Sequence, residues 1–558
     1  MADEQVPWPP PPREPGPWAG GPPVAPPGNT PLPPLPGAGG VVHGAAHQAN
    51  PWAEPAPGSP GAWGVPGQFP GSPPPGGREF PGLPPAGSGL VDRAPKAVLV
   101  VAALLVIALI AGVGYVAVKG GRQYPSAWDP RVEGITKWVA KERELDFEHP
   151  VKVNFLTDKE YTARSTEGGD QGSTESKQYY DDQAAQLRAL GFLEGKVDLA
   201  KANDTLSDSG TLAYYDPEVK EVFVRGTALT PAVRVTLAHE LTHVLQDQHF
   251  DLNRIGKLDS GRASVLRALG EGDATKVEDA YVAKGLSAKD RATYMKESAA
   301  SAKESTDAVD ASVPPILSTV FASPYILGPE LISYLDQKGG WTAINEALED
   351  PPTEEAMFDP STYGTDAARQ QTVDIKAPTG TEVLDKSEFG PTTWYLLLAS
   401  RLDPAKALAA TDGWGGDQYV VYRQDGKVCL DATIEGDTPD DTKELATALG
   451  EWAAKSPKGT TAVTSDTGEV QFHSCDPGTK AKAVGTKVTP DLLTLPVTRT
   501  ELYVQAMKAD KTPKESACFA NGVVDKFTLS QLSDPDGAFL NSTAGQQIIS
   551  ELRLTCFN

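Results

Sequence analysis

Five consecutive residues, His239-Glu240-Leu241-Thr242-His243, carry the residue types that bind and use a metal ion. An α-helix turns by about 100° and rises by about 1.5 Å per residue, so on one helix His239 and His243 project from the same face one turn apart, with Glu240 beside them. Two neutral imidazoles so placed can hold a zinc ion, and the neighbouring carboxylate can take a proton from a zinc-bound water without being a ligand itself. The chemistry this permits is hydrolysis by an activated water. A purely structural zinc site, closed by four protein ligands, has no need of a base in that position.

Such a pair works only on a helix, and the flanking sequence predicts one. Thr230 offers a side-chain oxygen to the free N–H groups of a helix start, and Pro231 is already set at helical φ. Val233, Leu237, Leu241, Val244 and Leu245 then supply an apolar stripe. Just upstream, 211–215 and 221–225 read as a hairpin joined by Asp216-Pro217, after a short strand over 151–155. Helices are expected over 128–144 and 179–190, with a loop over 168–177 between them.

The third metal ligand has two candidates. His249 stands ten residues after His239; on an unbroken helix it is rotated by about 280° and displaced by about 15 Å, out of reach. A glycine break could bring it back, but the position concerned is Gln246, a good helix former. Glu271 is the stronger candidate, with Glu278 and Asp273 as local rivals. Asp259-Ser260 can cap a helix from Arg262 to about Lys284 with Glu271 at its middle, between Gly270 and Gly272. Each glycine inside a helix costs about 0.5–1 kcal/mol relative to alanine, so the pair predicts that something approaches the backbone closely there. A carboxylate on a second helix packed against the first completes a His239, His243, Glu271 set and leaves a fourth position for water.

Composition divides the rest of the chain. The first 90 residues hold 27 of the 50 prolines and no lysine, which predicts a disordered tail over 1–95. Residues 97–118 carry no charge and are long enough, about 33 Å as a helix, to cross a bilayer as a single transmembrane helix. All four cysteines, Cys429, Cys475, Cys518 and Cys556, follow it; an even number there predicts two disulfides and an extracytoplasmic C-terminal region, with the tail cytoplasmic. Three connectivities exist, of which the sequential one, Cys429 with Cys475 and Cys518 with Cys556, is expected. A net charge of −24 with no basic stripe argues against nucleic acid as a partner.

The window Thr236-Leu-Ala-His-Glu-Leu-Thr-His-Val-Leu-Gln-Asp247 resembles the metal helix of thermolysin-like peptidases, the gluzincins, in which the third ligand is a Glu on the next helix. The resemblance implies His239 and His243 as ligands, Glu240 as general base and Asp247 as a partner orienting an imidazole. It also implies an edge strand over the metal helix that pairs with an extended substrate; the 211–225 hairpin either takes that part or only covers the core. The third Glu of that family lies in an N-E-x-x-S-D run closer to the second His, whereas Glu271 stands 28 residues beyond His243 in Gly-Glu-Gly-Asp-Ala. A longer stretch, roughly 130–455, is similar to prokaryotic surface proteins described mostly as metallopeptidases by inference. It is carried by HELTHVLQDQHFDL (239–252), SPYILG (323–328), GGW (339–341) and GWGGDQY (413–419). Tyr325 of SPYILG is a candidate oxyanion donor, the part a Tyr or His plays in gluzincins. Gly413-Trp-Gly-Gly-Asp417 reads as a tight turn.

The expected fold is therefore α+β: a mainly helical zincin-like metallopeptidase region with a small sheet over 125–410, an α+β region over 411–480, and a helical region over 490–558, the last two containing the disulfides. The expected function is that of a membrane-anchored zinc metallopeptidase with a polypeptide substrate and Zn2+ as cofactor. The rival expectation is a non-catalytic, metal-stabilised cell-surface interaction module.

Overall fold

The structure, a computed structural model, describes residues 124–557 except 167–173, 209–211, 366–369, 466–467, 483–484, 486 and 535–536. The expected tail over 1–95 and membrane span over 97–118 lie outside the described residues, as does 168–173 of the expected loop; residues 174–177 are helical. In chain order the first part runs α1 (Glu133–Arg143), β1 (Lys152–Leu156), α2 (Asp158–Thr166), α3 (Thr174–Ala189), α4 (Leu199–Asp208), β2 (Ala213–Asp216), β3 (Glu221–Arg225), α5 (Pro231–Phe250), α6 (Ser260–Ala280), α7 (Ala288–Ser312), α8 (Pro315–Glu349) and the short α9 (Glu354–Phe358). The second part runs β4 (Glu382–Ser387), α10 (Gly390–Ala399), α11 (Pro404–Thr411), β5 (Trp414–Gln424), β6 (Lys427–Gly436), α12 (Pro439–Ala454), β7 (Thr461–Thr464), β8 (Val470–Cys475), α13 (Thr494–Lys508), α14 (Pro513–Lys526), α15 (Leu529–Ser533) and α16 (Thr543–Cys556).

The architecture is mixed α+β and mainly helical, with two sheets: the small one expected in the first region, and a second formed mostly by the expected α+β region over 411–480. The three-stranded sheet has the order β1-β3-β2: the expected hairpin is antiparallel, and β1 adds in parallel to its far side. The five-stranded sheet is antiparallel throughout, in the order β4-β5-β6-β8-β7. Side chains from all three sequence stretches share one continuous apolar cluster, among them Leu266, Leu331, Trp394, Leu430, Trp452, Leu502 and Val523.

Both disulfides take the sequential pairing. Cys429–Cys475 joins directly opposed residues of β6 and β8, and Cys518–Cys556 ties α14 to α16. They close stretches of 46 and 38 residues, which in the chain-entropy account removes about 4 kcal/mol each from the unfolded state.

Helix α5 begins as its sequence directs, with Thr230 Oγ1 accepting from Val233 N–H and Pro231 in the first turn. It is more deeply set than an apolar stripe requires: fifteen of its twenty residues are buried, polar ones among them. Those polar groups must find partners inside the protein: His239, His243 and Gln246 find them on α6, and Glu240 and Asp247 on the hairpin.

The contact between α6 and α8 explains the glycines around Glu271. A Cβ on Gly272 would stand 2.5 Å from the Gly328 carbonyl, and one on Gly328 would collide with the Ala268 carbonyl, so the two helix backbones touch here. SPYILG is this contact. Pro324 has no N–H for the carbonyl of Val320, and Ser323 Oγ donates to that carbonyl instead, at 2.7 Å. Tyr325 and Gly328 lie three residues apart on one face, so the close approach at Gly328 also delivers Tyr325 to Glu271. Gly328→Ala is expected to overpack this crossing by at least about 1–3 kcal/mol; a lowered melting temperature together with reduced zinc stoichiometry is the result to look for.

Among the described residues, α8 is the one helix long and apolar enough to cross a bilayer, but 61% of its most apolar window is buried within the protein. It breaks at Gly339-Gly340, where Gly340 takes a left-handed φ of 62°. The break turns Trp341 of the GGW run over the Arg143 guanidinium, 4.3 Å from ring centre to Cζ.

The expected turn over Gly413–Asp417 is instead the start of β5. Its glycines are needed because neighbouring backbone lies against the strand: a Cβ on Gly416 would stand 2.7 Å from the Gln371 carbonyl oxygen, and one on Gly415 2.9 Å from the Gly436 carbonyl carbon. Asp417 then accepts the N–H groups of Phe389 and Gly390 at the start of α10 and the indole N–H groups of Trp394 and Trp414, at 2.9–3.0 Å. GWGGDQY is thus a packing and capping device.

Candidate metal centre

His239 and His243 from α5 and Glu271 from α6 converge, each offering a ligand atom within 4.8 Å of the others. Glu271 Oε2 stands 3.3 Å from His239 Nε2 and 3.4 Å from His243 Nε2. Charge-assisted N–H···O bonds are about 2.7–2.9 Å long, so both separations are long for hydrogen bonds. Two ligand atoms about 2.05 Å from a tetrahedral zinc stand about 3.3 Å apart, which is the separation found here.

The outer nitrogens fix the direction of the inner ones. His239 Nδ1 lies 2.9 Å from Glu278 Oε2, and His243 Nδ1 lies 2.8 Å from Gln246 Oε1. An acceptor at each Nδ1 calls for a proton there and leaves the Nε2 lone pair turned toward Glu271. Gln246 is held in turn, its Nε2 donating to Gly270 O and Asp273 Oδ2, both at 2.9 Å. Asp273 is paired with the buried Arg143, Nε to Oδ1 at 2.8 Å. Tyr325 Oη donates to the other oxygen of Glu271, Oε1, at 2.7 Å. The donor set, its spacing and its tautomers therefore fit a divalent cation with one nitrogen from each imidazole and one carboxylate oxygen. Truncating either outer partner, by Glu278→Ala or Gln246→Ala, is expected to weaken zinc binding about 10–100-fold, measured by chelator competition.

The electrostatics agree. Burial opposes charge on all three groups, but their mutual attraction outweighs it. Glu271 is held at about 2, burial pushing it up and His243 and His239 pulling it further down. His239 is raised well above the ordinary imidazole value, because Glu271 and Glu278 outweigh the cost of burial, and His243 is raised by Glu271 in the same way. Glu240 is 3% exposed. Burial raises its pKa, with His239 and His243 resisting. Its Oε2 accepts the Tyr215 N–H at 2.8 Å. Tyr215 lies on β2, an edge strand paired on one side only, so the hairpin is in direct contact with Glu240.

The geometry corrects the role expected of Asp247 and places His249 and Tyr325. Asp247 orients neither imidazole: eight residues past His239 it is turned by about 80° round the helix, toward the hairpin. There it accepts from Tyr215 Oη and Lys220 Nζ, both at 2.5 Å, and from Leu252 N–H at 3.0 Å. The imidazole partners are Glu278 and Gln246. His249 stays on the unbroken helix, exposed, with Nε2 2.8 Å from Asp146 O, and takes no part in the site. Tyr325 is committed to Glu271 and supports a ligand. The partner role of Gln246 was open to sequence reasoning, since a residue three positions after a ligand lies over it on the same face.

Residues 378–496 match a family model described as a domain of unknown function (DUF8575). The match covers the five-stranded sheet with α10 to α12, well under half of the chain, and contains none of His239, Glu240, His243 or Glu271. No curated protein and no solved structure matches the chain.

Proposed function

We propose that the chain is a zinc-dependent metallopeptidase of the gluzincin kind, anchored by residues 97–118, with its Pro-rich tail cytoplasmic and the region from 124 onward outside the cytosol. The observation that carries this reading is the spacing of the His239, His243, Glu271 corner beside a carboxylate, Glu240, that belongs to none of the ligand contacts. Zinc bound there would supply Lewis acidity toward a peptide carbonyl and a water that ionises near neutral pH. His239, His243 and Glu271 hold; Glu278, Gln246 and Tyr325 orient them; Glu240 takes the proton and passes it to the leaving amine. Two disulfides, which persist in oxidising compartments, support the extracytoplasmic placement.

A second reading, a metal-stabilised surface module without turnover, is favoured by how little of the site meets water: His239 is 8% exposed and Glu271 2%. The full-length chain in detergent decides between them. The peptidase reading expects one zinc per chain and chelator-sensitive cleavage within a broad peptide library; zinc without any cleavage supports the module.

A further inference from the structure

Arg267 stands one turn before Glu271 on the same face of α6. It is part-buried, and its Nε is shut off from water with no acceptor. Other described arginines also bury a guanidinium nitrogen without an acceptor, Arg143 and Arg499 among them, but those two are anchored elsewhere on the fork, by Asp273 and Asp412. Arg267 is the one described arginine with neither an ion pair nor a hydrogen bond. Burial pulls its pKa down, and the groups that counter this are Tyr325 and Glu271, both members of the metal corner. In a chain with 74 acidic and 50 basic residues, a guanidinium left without a carboxylate beside a candidate catalytic centre calls for an external one.

We propose that Arg267 receives a carboxylate of the bound polypeptide and so sets the specificity of the site, an inference that rests on the peptidase reading above. The planar guanidinium fork matches a carboxylate in two parallel hydrogen bonds, which a lysine cannot reproduce. The carboxylate has two possible sources: the free C-terminus of the substrate, which makes the reaction a trimming of chain ends, or an Asp or Glu side chain near the scissile bond, which makes it an internal cut at acidic sequences.

The test uses the zinc-loaded full-length chain carrying Glu240→Gln, so that bound peptides stay intact, and reads fluorescence anisotropy of labelled peptides. One arm compares a free C-terminus with its amide, the other Asp and Glu with Asn and Gln. In at least one arm the acid is expected to bind about tenfold more tightly than its neutral isostere, as a charged hydrogen bond implies. Arg267→Gln is expected to remove that difference and Arg267→Lys to keep part of it, with zinc content and melting temperature unchanged in both. Equal binding of acid and neutral peptides, or a preference that survives Arg267→Gln, overturns the assignment. Hydrolysis by the chain with its native Glu240 is read separately. An acid preference without hydrolysis keeps Arg267 as a carboxylate anchor and removes the peptidase; hydrolysis without the preference does the reverse.

Discussion

Replacing Glu240 by Gln is expected to leave zinc content unchanged and to lower peptide hydrolysis by about 10²–10⁴-fold, the range a positioned general base contributes. The substitution is nearly isosteric, and a glutamine carbonyl can still accept the Tyr215 N–H that now meets Glu240 Oε2 at 2.8 Å, so the hairpin stays docked on α5. What is lost is the proton acceptor. Glu240 is suited to that task because burial raises its pKa, against the pull of the two imidazoles, which makes the carboxylate a stronger base. The measurement pairs metal analysis with single-peptide kinetics on both chains. Equal rates would mean that Glu240 only braces the hairpin, and the enzyme reading would fall with it.

The second large effect is on stability. Stripping the metal with a chelator is expected to lower the melting temperature by several degrees at pH 8 and by much less at pH 5.5. Zinc needs both imidazoles deprotonated, so its affinity rises with pH, and a free metal concentration 100-fold above Kd stabilises the fold by about 2.7 kcal/mol. The metal-free chain runs the other way. His239 and His243 have folded pKa values raised above their unfolded values of about 6.5, so the stability they contribute is present below that pH and is lost as pH rises through the folded values. Glu271, depressed to about 2, contributes stability above its unfolded value of about 4.3 and loses it as pH falls toward about 2. The metal-free chain is therefore most supported by this site between about pH 4.5 and 6.5, and the gap between loaded and stripped chains widens from there upward. A gap that is flat with pH, or no gap at all, would show that these three side chains hold no metal.

Much of this site was legible in the residue order, for definite reasons. Motif spacing on a capped helix fixes two imidazoles within one turn, and the cost of Gly270 and Gly272 pointed to a close neighbour before that neighbour was known. The neighbour itself, Gly328 of α8, was visible only as part of an unexplained run, because a contact between residues 56 positions apart leaves no periodic trace. Asp247 was misassigned because resemblance carries a residue's place along a helix but not the direction in which a different surrounding fold turns it. The Gly413–Asp417 run reads as a turn in sequence because glycine density has two physical meanings, a bend or a surface against which other backbone lies, and only tertiary contact separates them. The parallel pairing of β1 with β3 was likewise invisible, since it joins segments about 70 residues apart with four elements between them.

The crossing at Ala268, Gly272 and Gly328 has a consequence for how such a chain can change through descent. Gly272 and Gly328 each forbid bulk on account of main-chain atoms, which have no alternative rotamer to adopt. A methyl gained at one of them cannot be absorbed locally; it has to be answered by moving an entire helix, and that helix carries the hydroxyl that steadies Glu271. The two glycines therefore form a single heritable unit, and drift is left to the surfaces that no neighbouring backbone touches.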